Sequence, residues 1–384
     1  MPRQSKVNLN NPKILTWARE EMAINISEVA SRFNKTEEII KGWEAGTDSP
    51  TFAQLTELAN YYKRPIAVFF LPAIPPKSPK PTDFRTLPGI SEGQFNKYTL
   101  LAYRELQNML METYELISAL DLKISFSLPA WTTDDNPEQK AEQLRSLFGV
   151  SVDEQIKTFV TYYHAQDVWR SVLFDHGVVV RICRMPIDDA RAFCLFGNGL
   201  AGIGLSSEDR EHGRIFSLFH EVCHLGLRQP GVSGKVSNNA SSNQELEQYC
   251  DRFAAAFLLP ASNPDVIRSL EDFRSSMTLE TARAIANKFK VSKYVVARRA
   301  LDLVQIDKAI YWKMIENWLT QDALHSGKQE TDRIGGGNYH ATQISYVGER
   351  FIQLVIRALQ SNYLTPVEVR RIVGLDHSVL EMNL

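Results

Sequence analysis

Apolar residues recur at helical spacing over most of the chain and at strand spacing only over a short middle stretch. Ile14, Leu15, Trp17 and Ala18 share one helical face. Residues 26–30 open a second helix with Ser27 as its cap, and residues 36–44 a third with Thr36 as cap. Residues 51–59, after Asp48-Ser49-Pro50, give a fourth, and residues 66–71 pack the end of this small all-α unit. Residues 72–81 are rich in proline and lysine, which breaks the helical pattern and predicts a semi-rigid linker.

Beyond the linker, Leu100, Tyr103, Leu106, Leu110, Tyr114 and Ile117 predict a long amphipathic helix over 95–123. Helical patterns follow at 137–148 and 154–174. The run His176-Gly177-Val178-Val179-Val180 predicts a strand over 176–182, and 192–196 and 202–205 are short strand candidates. Helices return at 214–227, 243–259, 279–290 and 293–304. Gly335-Gly336-Gly337 then opens a helical C-terminal piece over 345–382. The fold class expected is α+β and mostly helical: an N-terminal all-α domain, a core with a small sheet, and a helical C-terminal region.

Length, charge and cysteine usage narrow the function classes. A chain of 384 residues has room for two to four domains. With 44% hydrophobic and 23% charged residues, disordered and fibrous classes are excluded. A net charge of −2 excludes a globally basic nucleic-acid coat, leaving only a local patch. Four scattered cysteines (Cys183, Cys194, Cys223 and Cys250) do not make a secreted disulfide framework. The first residues lack an apolar signal segment, and no apolar run approaches the roughly 20 residues of a membrane span. The expectation is a soluble, cytoplasmic protein without a membrane partner.

One cluster carries chemistry. His220-Glu221-Val222-Cys223-His224 lies in an apolar helical run, and histidines four apart share a helical face. Both imidazoles can therefore reach one Zn²⁺ at about 2.0–2.1 Å, with Glu221 beside them as general base. The plainer alternative is two core histidines on an amphipathic helix. A third ligand is expected from the helix Glu245–Leu259, where Glu247 and Asp251 stand four apart. One can bind the metal while the other hydrogen-bonds a ligand histidine. Phe253, Ala254, Phe257 and Leu258 mark a core helix, which would not turn idle carboxylates inward. Glu247 is the favoured ligand and Glu245 its competitor. Cys223 reads as a small buried residue, with packing on Cys250 or redox sensitivity as alternatives.

Residues of about 165–305 resemble the ImmA/IrrE family of zinc metallopeptidases. The family pairs HExxH with a downstream E-x-x-[AC]-[ND]-x-[FV]-A-A-x-[FL]-L-x-P, met here by Glu247, Cys250, Asp251, Phe253, Ala254, Ala255, Phe257, Leu258 and Pro260. The resemblance implies a zincin-like core with one Zn²⁺ per chain, held by His220, His224 and Glu247. It implies Glu221 as catalytic base and Asp251 as the partner of a ligand histidine. Cys223 departs from the small residue the family often has there. In zincins one strand pairs with an extended peptide through its free edge, and residues 202–205, with two glycines, are the candidate, an ordinary core strand being the alternative. Tyr249, His164, His176, His212 and Arg214 are candidates for stabilising the oxyanion, with no choice among them.

Residues 12–72 resemble the XRE-type helix-turn-helix domain, which the family often fuses to its peptidase. That resemblance places residues 36–44 against double-stranded DNA, with Lys35, Thr36 and Lys41 as contacts; a protein-interaction or sensing module is the alternative. The expected organisation is a helix-turn-helix domain (1–72), a linker and long helix (73–130), a metallopeptidase domain with a winged-helix-like tail (131–305), and a C-terminal helical region (306–384). The family's usual substrate is a partner repressor, cleaved to release stress-response or mobile-element genes. Two alternatives stand beside it: a DNA-binding regulator whose peptidase-like domain senses a signal, and a toxin–antitoxin or phage-defence component.

Overall fold

A computed structural model of the chain describes residues 6–22, 24–75, 96–229, 232–233, 241–329 and 339–381. It divides into two units, residues 1–85 with 90–105 and residues 86–89 with 106–384. Part of the expected linker, residues 76–81, and the Gly335-Gly336-Gly337 loop lie outside the described residues.

The first unit contains α1 (Lys13–Glu20), α2 (Ile26–Arg32), α3 (Glu37–Ala45), α4 (Phe52–Tyr61), a 3₁₀ turn over Ile66–Phe70, and the beginning of α5 (Lys97–Ala119). Helix α4 starts with a capping box in which the Thr51 side chain accepts from Gln54 N–H and Gln54 reciprocates. The Ser27 cap expected for α2 is not found: Asn25 is the N-cap, so Ser27 falls in the first turn. Thr36 does precede α3, though its side chain makes no capping bond. Ile14, Leu15, Ala18, Val29, Ile40, Trp43 and Leu55 form the core. The buried Arg19 guanidinium meets Glu44 at 2.7 Å, tying α1 to α3.

The second unit runs through α6 (Pro137–Phe148), α7 (Val152–Thr158), α8 (Tyr162–Asp175), β1 (Val178–Cys183), β2 (Ala192–Gly197), β3 (Leu200–Ser206), α9 (Glu211–Gly226), β4 (Val232–Ser233) and α10 (Ser241–Leu258). It continues with α11 (Pro264–Ser276), α12 (Leu279–Phe289), α13 (Lys293–Leu303), α14 (Lys308–Gln329), α15 (Tyr339–Val347), α16 (Glu349–Gln360), α17 (Pro366–Val373) and α18 (His377–Glu381). The protein is thus mostly helical with a small sheet, as the periodicity predicts. The single helix expected over 154–174 is two helices, because the Thr161 hydroxyl accepts from His164 N–H and caps a fresh start at α8. Helix α11 was missing from the pattern, although Asn263-Pro264 is a strong start signal: the Asn263 side chain caps Asp265 and Val266.

The sheet order is β1-β3-β2-β4, with β1 parallel and β2 antiparallel to β3. Residues 202–205 therefore lie in the central strand, paired on both sides, and offer no free edge to a peptide. Their glycines serve packing instead. A Cβ on Gly204 would sit 2.4 Å from the Phe193 ring, and one on Gly202 3.0 Å from Leu106. Strand β4 covers β2 only at Ala192 and Phe193 among the described residues. Helix α9 packs on β2 and β3, and α10 packs against both α9 and α6.

Candidate metal centre

Helix α9 is held in place by aromatic packing on its buried face. The Phe219 ring stacks on Phe257 of α10 at 3.9 Å between centroids, and Trp169 of α8 meets both edge-on. That contact fixes the register of α9 against α10, so residue 220 of one helix faces residues 247–251 of the other. A residue after Phe219, His220 is 5% exposed; one turn later His224 is 4% exposed, and Glu221 is wholly buried.

Three side chains converge. His220 Nε2 lies 3.2 Å from His224 Nε2 and 3.1 Å from Glu247 Oε2. His224 Nε2 lies 3.5 Å from Glu247 Oε1. On the other side of its ring, His220 Nδ1 lies 2.9 Å from Asp251 Oδ1. Donors about 2.05 Å from a tetrahedral zinc stand roughly 3.3 Å apart, so the Nε2–Nε2–carboxylate triangle has the size of a zinc site. Glu245, the competing carboxylate, is exposed at the start of α10, and no contact joins it to the histidines.

Burial alone would lower the pKa of His220, but hydrogen bonds to Asp251 and Glu247 raise it well above the usual imidazole value. Burial would raise the Glu247 carboxyl; the hydrogen bonds from His220 and His224 outweigh it and hold the carboxyl far below the usual range. Both shifts have the same cause, the close approach of the His220 ring to the two carboxylates.

Two thiols adjoin the triangle. Cys223 and Cys250 are both fully buried and free, and they are hydrogen-bonded to each other. Cys250 Sγ and ring nitrogens of His220 and His224 all lie within 4.8 Å of one another. The HExxH spacing does not single out Cys250 as a ligand. The signal was its place three residues after Glu247, on the same helical face.

The oxyanion candidates are spread out. Arg214 is buried and committed to Gln166 Oε1, the Asp209 carbonyl and Glu211. His176 Nδ1 bonds the Ser127 hydroxyl, His164 caps its own turn near Val160, and His212 packs edge-on to Tyr162. Tyr249 is buried on α10, and its hydroxyl has no hydrogen-bond partner among the described residues. In the first unit, Lys35, Thr36 and Lys41 are exposed, and Lys41 pairs with Glu37 at 3.3 Å.

Residues 174–301 match the family model of the IrrE N-terminal-like domain, Peptidase_M78. The match runs from the end of α8 into α13 and contains every residue of the triangle, Glu221 and Asp251. No match was found among curated proteins or among solved structures.

Proposed function

We propose that the protein is a zinc-dependent endopeptidase of the ImmA/IrrE type, a reading supported by the match of residues 174–301 to the IrrE N-terminal-like domain. The observation that carries this reading is the triangle of His220 Nε2, His224 Nε2 and the Glu247 carboxylate, with edges of 3.1–3.5 Å. Those three residues would hold one Zn²⁺ per chain. A zinc ion there supplies Lewis acidity, polarising a peptide carbonyl and making water a nucleophile near neutral pH.

The remaining work falls to the chain's own residues. Asp251 accepts the Nδ1 proton of His220 and so fixes its tautomer and ring orientation. Glu221 takes a proton from the attacking water and returns it to the leaving amine. The substrate proposed is a partner transcriptional repressor.

For the first unit we propose a helix-turn-helix role, with α3 meeting double-stranded DNA through Lys35, Thr36 and Lys41. The ion pairs Lys41–Glu37 and Arg32–Glu57 leave little uncompensated positive charge for phosphate, which supports weak binding. The decisive test incubates zinc-loaded protein with helix-turn-helix repressors encoded beside its gene. Cleavage with zinc and none with chelator is the expected result. Intact repressors throughout, with zinc bound stoichiometrically, would count against the reading.

A further inference from the structure

A fourth donor lies beside the proposed ligand set. Cys250 follows Glu247 by three residues, so both side chains occupy the face of α10 turned toward α9. They approach the histidines from different media. The Glu247 side chain is 27% exposed, whereas Cys250 is fully enclosed. With sulfur at about 2.3 Å and nitrogen at about 2.05 Å from a tetrahedral zinc, S and N stand roughly 3.5 Å apart. From the outer limit of 4.8 Å, at most about 1.3 Å remains to be closed, within the reach of one side-chain rotation. As mere core filler the residue needs no sulfur: its helical neighbours Ala254, Ala255 and Ala256 fill equally buried positions with a methyl group.

We propose that in the metal-loaded, substrate-free protein the Cys250 thiolate is a fourth protein ligand, closing a His220–His224–Glu247–Cys250 set. This rests on the zinc-site reading above. On binding, the S–H bond breaks, the proton passes to solvent, and the sulfur lone pair is donated to the ion. Four protein ligands are the hallmark of a structural zinc site, while a catalytic one keeps a position open. The closed set is therefore a dormant state, and hydrolysis requires Cys250 to let go. A soft sulfur donor also favours zinc over manganese or magnesium.

The experiment loads the full-length chain with cobalt(II) and records its absorption spectrum, stoichiometry and affinity. Wild type should bind one cobalt with an intense thiolate-to-metal charge-transfer band in the near ultraviolet. That band should vanish in Cys250→Ser and Cys250→Ala and persist in Cys223→Ala. Cobalt affinity should fall at least about tenfold in the Cys250 variants, the loss that even a group supporting a ligand produces. One bound cobalt without the band, or a band lost only with Cys223, overturns the Cys250 assignment and leaves the three-ligand reading standing. Failure of the wild type to bind cobalt or zinc overturns both. Should the Cys250 variants not fold, the wild-type spectrum with the Cys223→Ala control decides alone.

Discussion

His220 Nδ1 lies 2.9 Å from Asp251 Oδ1, a bond that ties α9 to α10 and leaves Nε2 as the nitrogen facing His224 and Glu247. Asp251 thus decides which nitrogen a metal meets. Replacing it with Asn keeps an acceptor oxygen but removes the charge that favours the Nδ1–H tautomer. Asp251→Asn should weaken zinc binding by roughly 10–100-fold. A zinc-competition titration checks this, and an unchanged affinity would sink the assignment.

The two carboxylates near the start of α10 separate cleanly. Glu247 reaches both histidines, whereas Glu245 is exposed. Glu247→Ala should lower the bound zinc, which His220, His224 and Cys250 then hold more weakly, and Glu245→Ala should leave it unchanged. Elemental analysis of the two purified variants is sufficient. Equal zinc in both, or loss only with Glu245, would reverse the ligand choice.

This centre was legible in the sequence because its information is local. Four-residue spacings on two apolar helices put His220 with His224, and Glu247 with Asp251, on common faces whatever the rest of the chain does. Sheet order is not local. The glycines at 202 and 204 read as an open edge, but they answer to Leu106 and Phe193, side chains distant in sequence or on another strand. The break between α7 and α8 was hidden because Val160-Thr161 interrupts no apolar period; only the Thr161 cap reveals it. The contact of Cys250 with the histidines depends on the Phe219–Phe257 stack, which sets the register of the two helices.

Glu112 on α5 gives the fold a pH dependence. Burial raises its carboxyl pKa to about 7; Arg371 opposes this, Glu115 adds to it, and Arg181 opposes. The folded state therefore binds a proton that the unfolded chain releases near pH 4.3. Stability from this group is fully present below that pH and is lost as pH rises through about 7. Glu112→Gln should be near neutral at pH 4 and stabilise by about 1–3 kcal/mol at pH 8. Urea midpoints at the two pH values test it, and equal shifts at both would refute it.

Gly226 closes α9 against Trp131, whose ring stacks on Phe253 at 5.1 Å. A Cβ at 226 would fall 2.0 Å from the indole. In an exposed helix the change to Ala would gain about 0.5–1 kcal/mol. Here the overpacking of an enclosed ring, about 1–3 kcal/mol, outweighs that gain. Gly226→Ala should therefore lower the melting temperature, and a rise would show that Trp131 can move aside.

Glu221 carries the prediction about chemistry rather than binding. It is wholly buried on α9, between the two histidines in sequence. As a general base it contributes about 10²–10⁴-fold in rate. Glu221→Gln preserves size and hydrogen-bonding capacity but cannot accept the proton. It should keep one zinc and a wild-type melting temperature while cleavage of the repressor substrate falls by that factor. A purely structural buried acid behaves in the opposite way, losing stability while the surviving folded fraction retains its activity. Melting temperature, zinc content and cleavage rate, measured together on the same preparation, separate the two roles. Near wild-type cleavage by a folded, zinc-loaded Glu221→Gln protein would remove Glu221 from the mechanism.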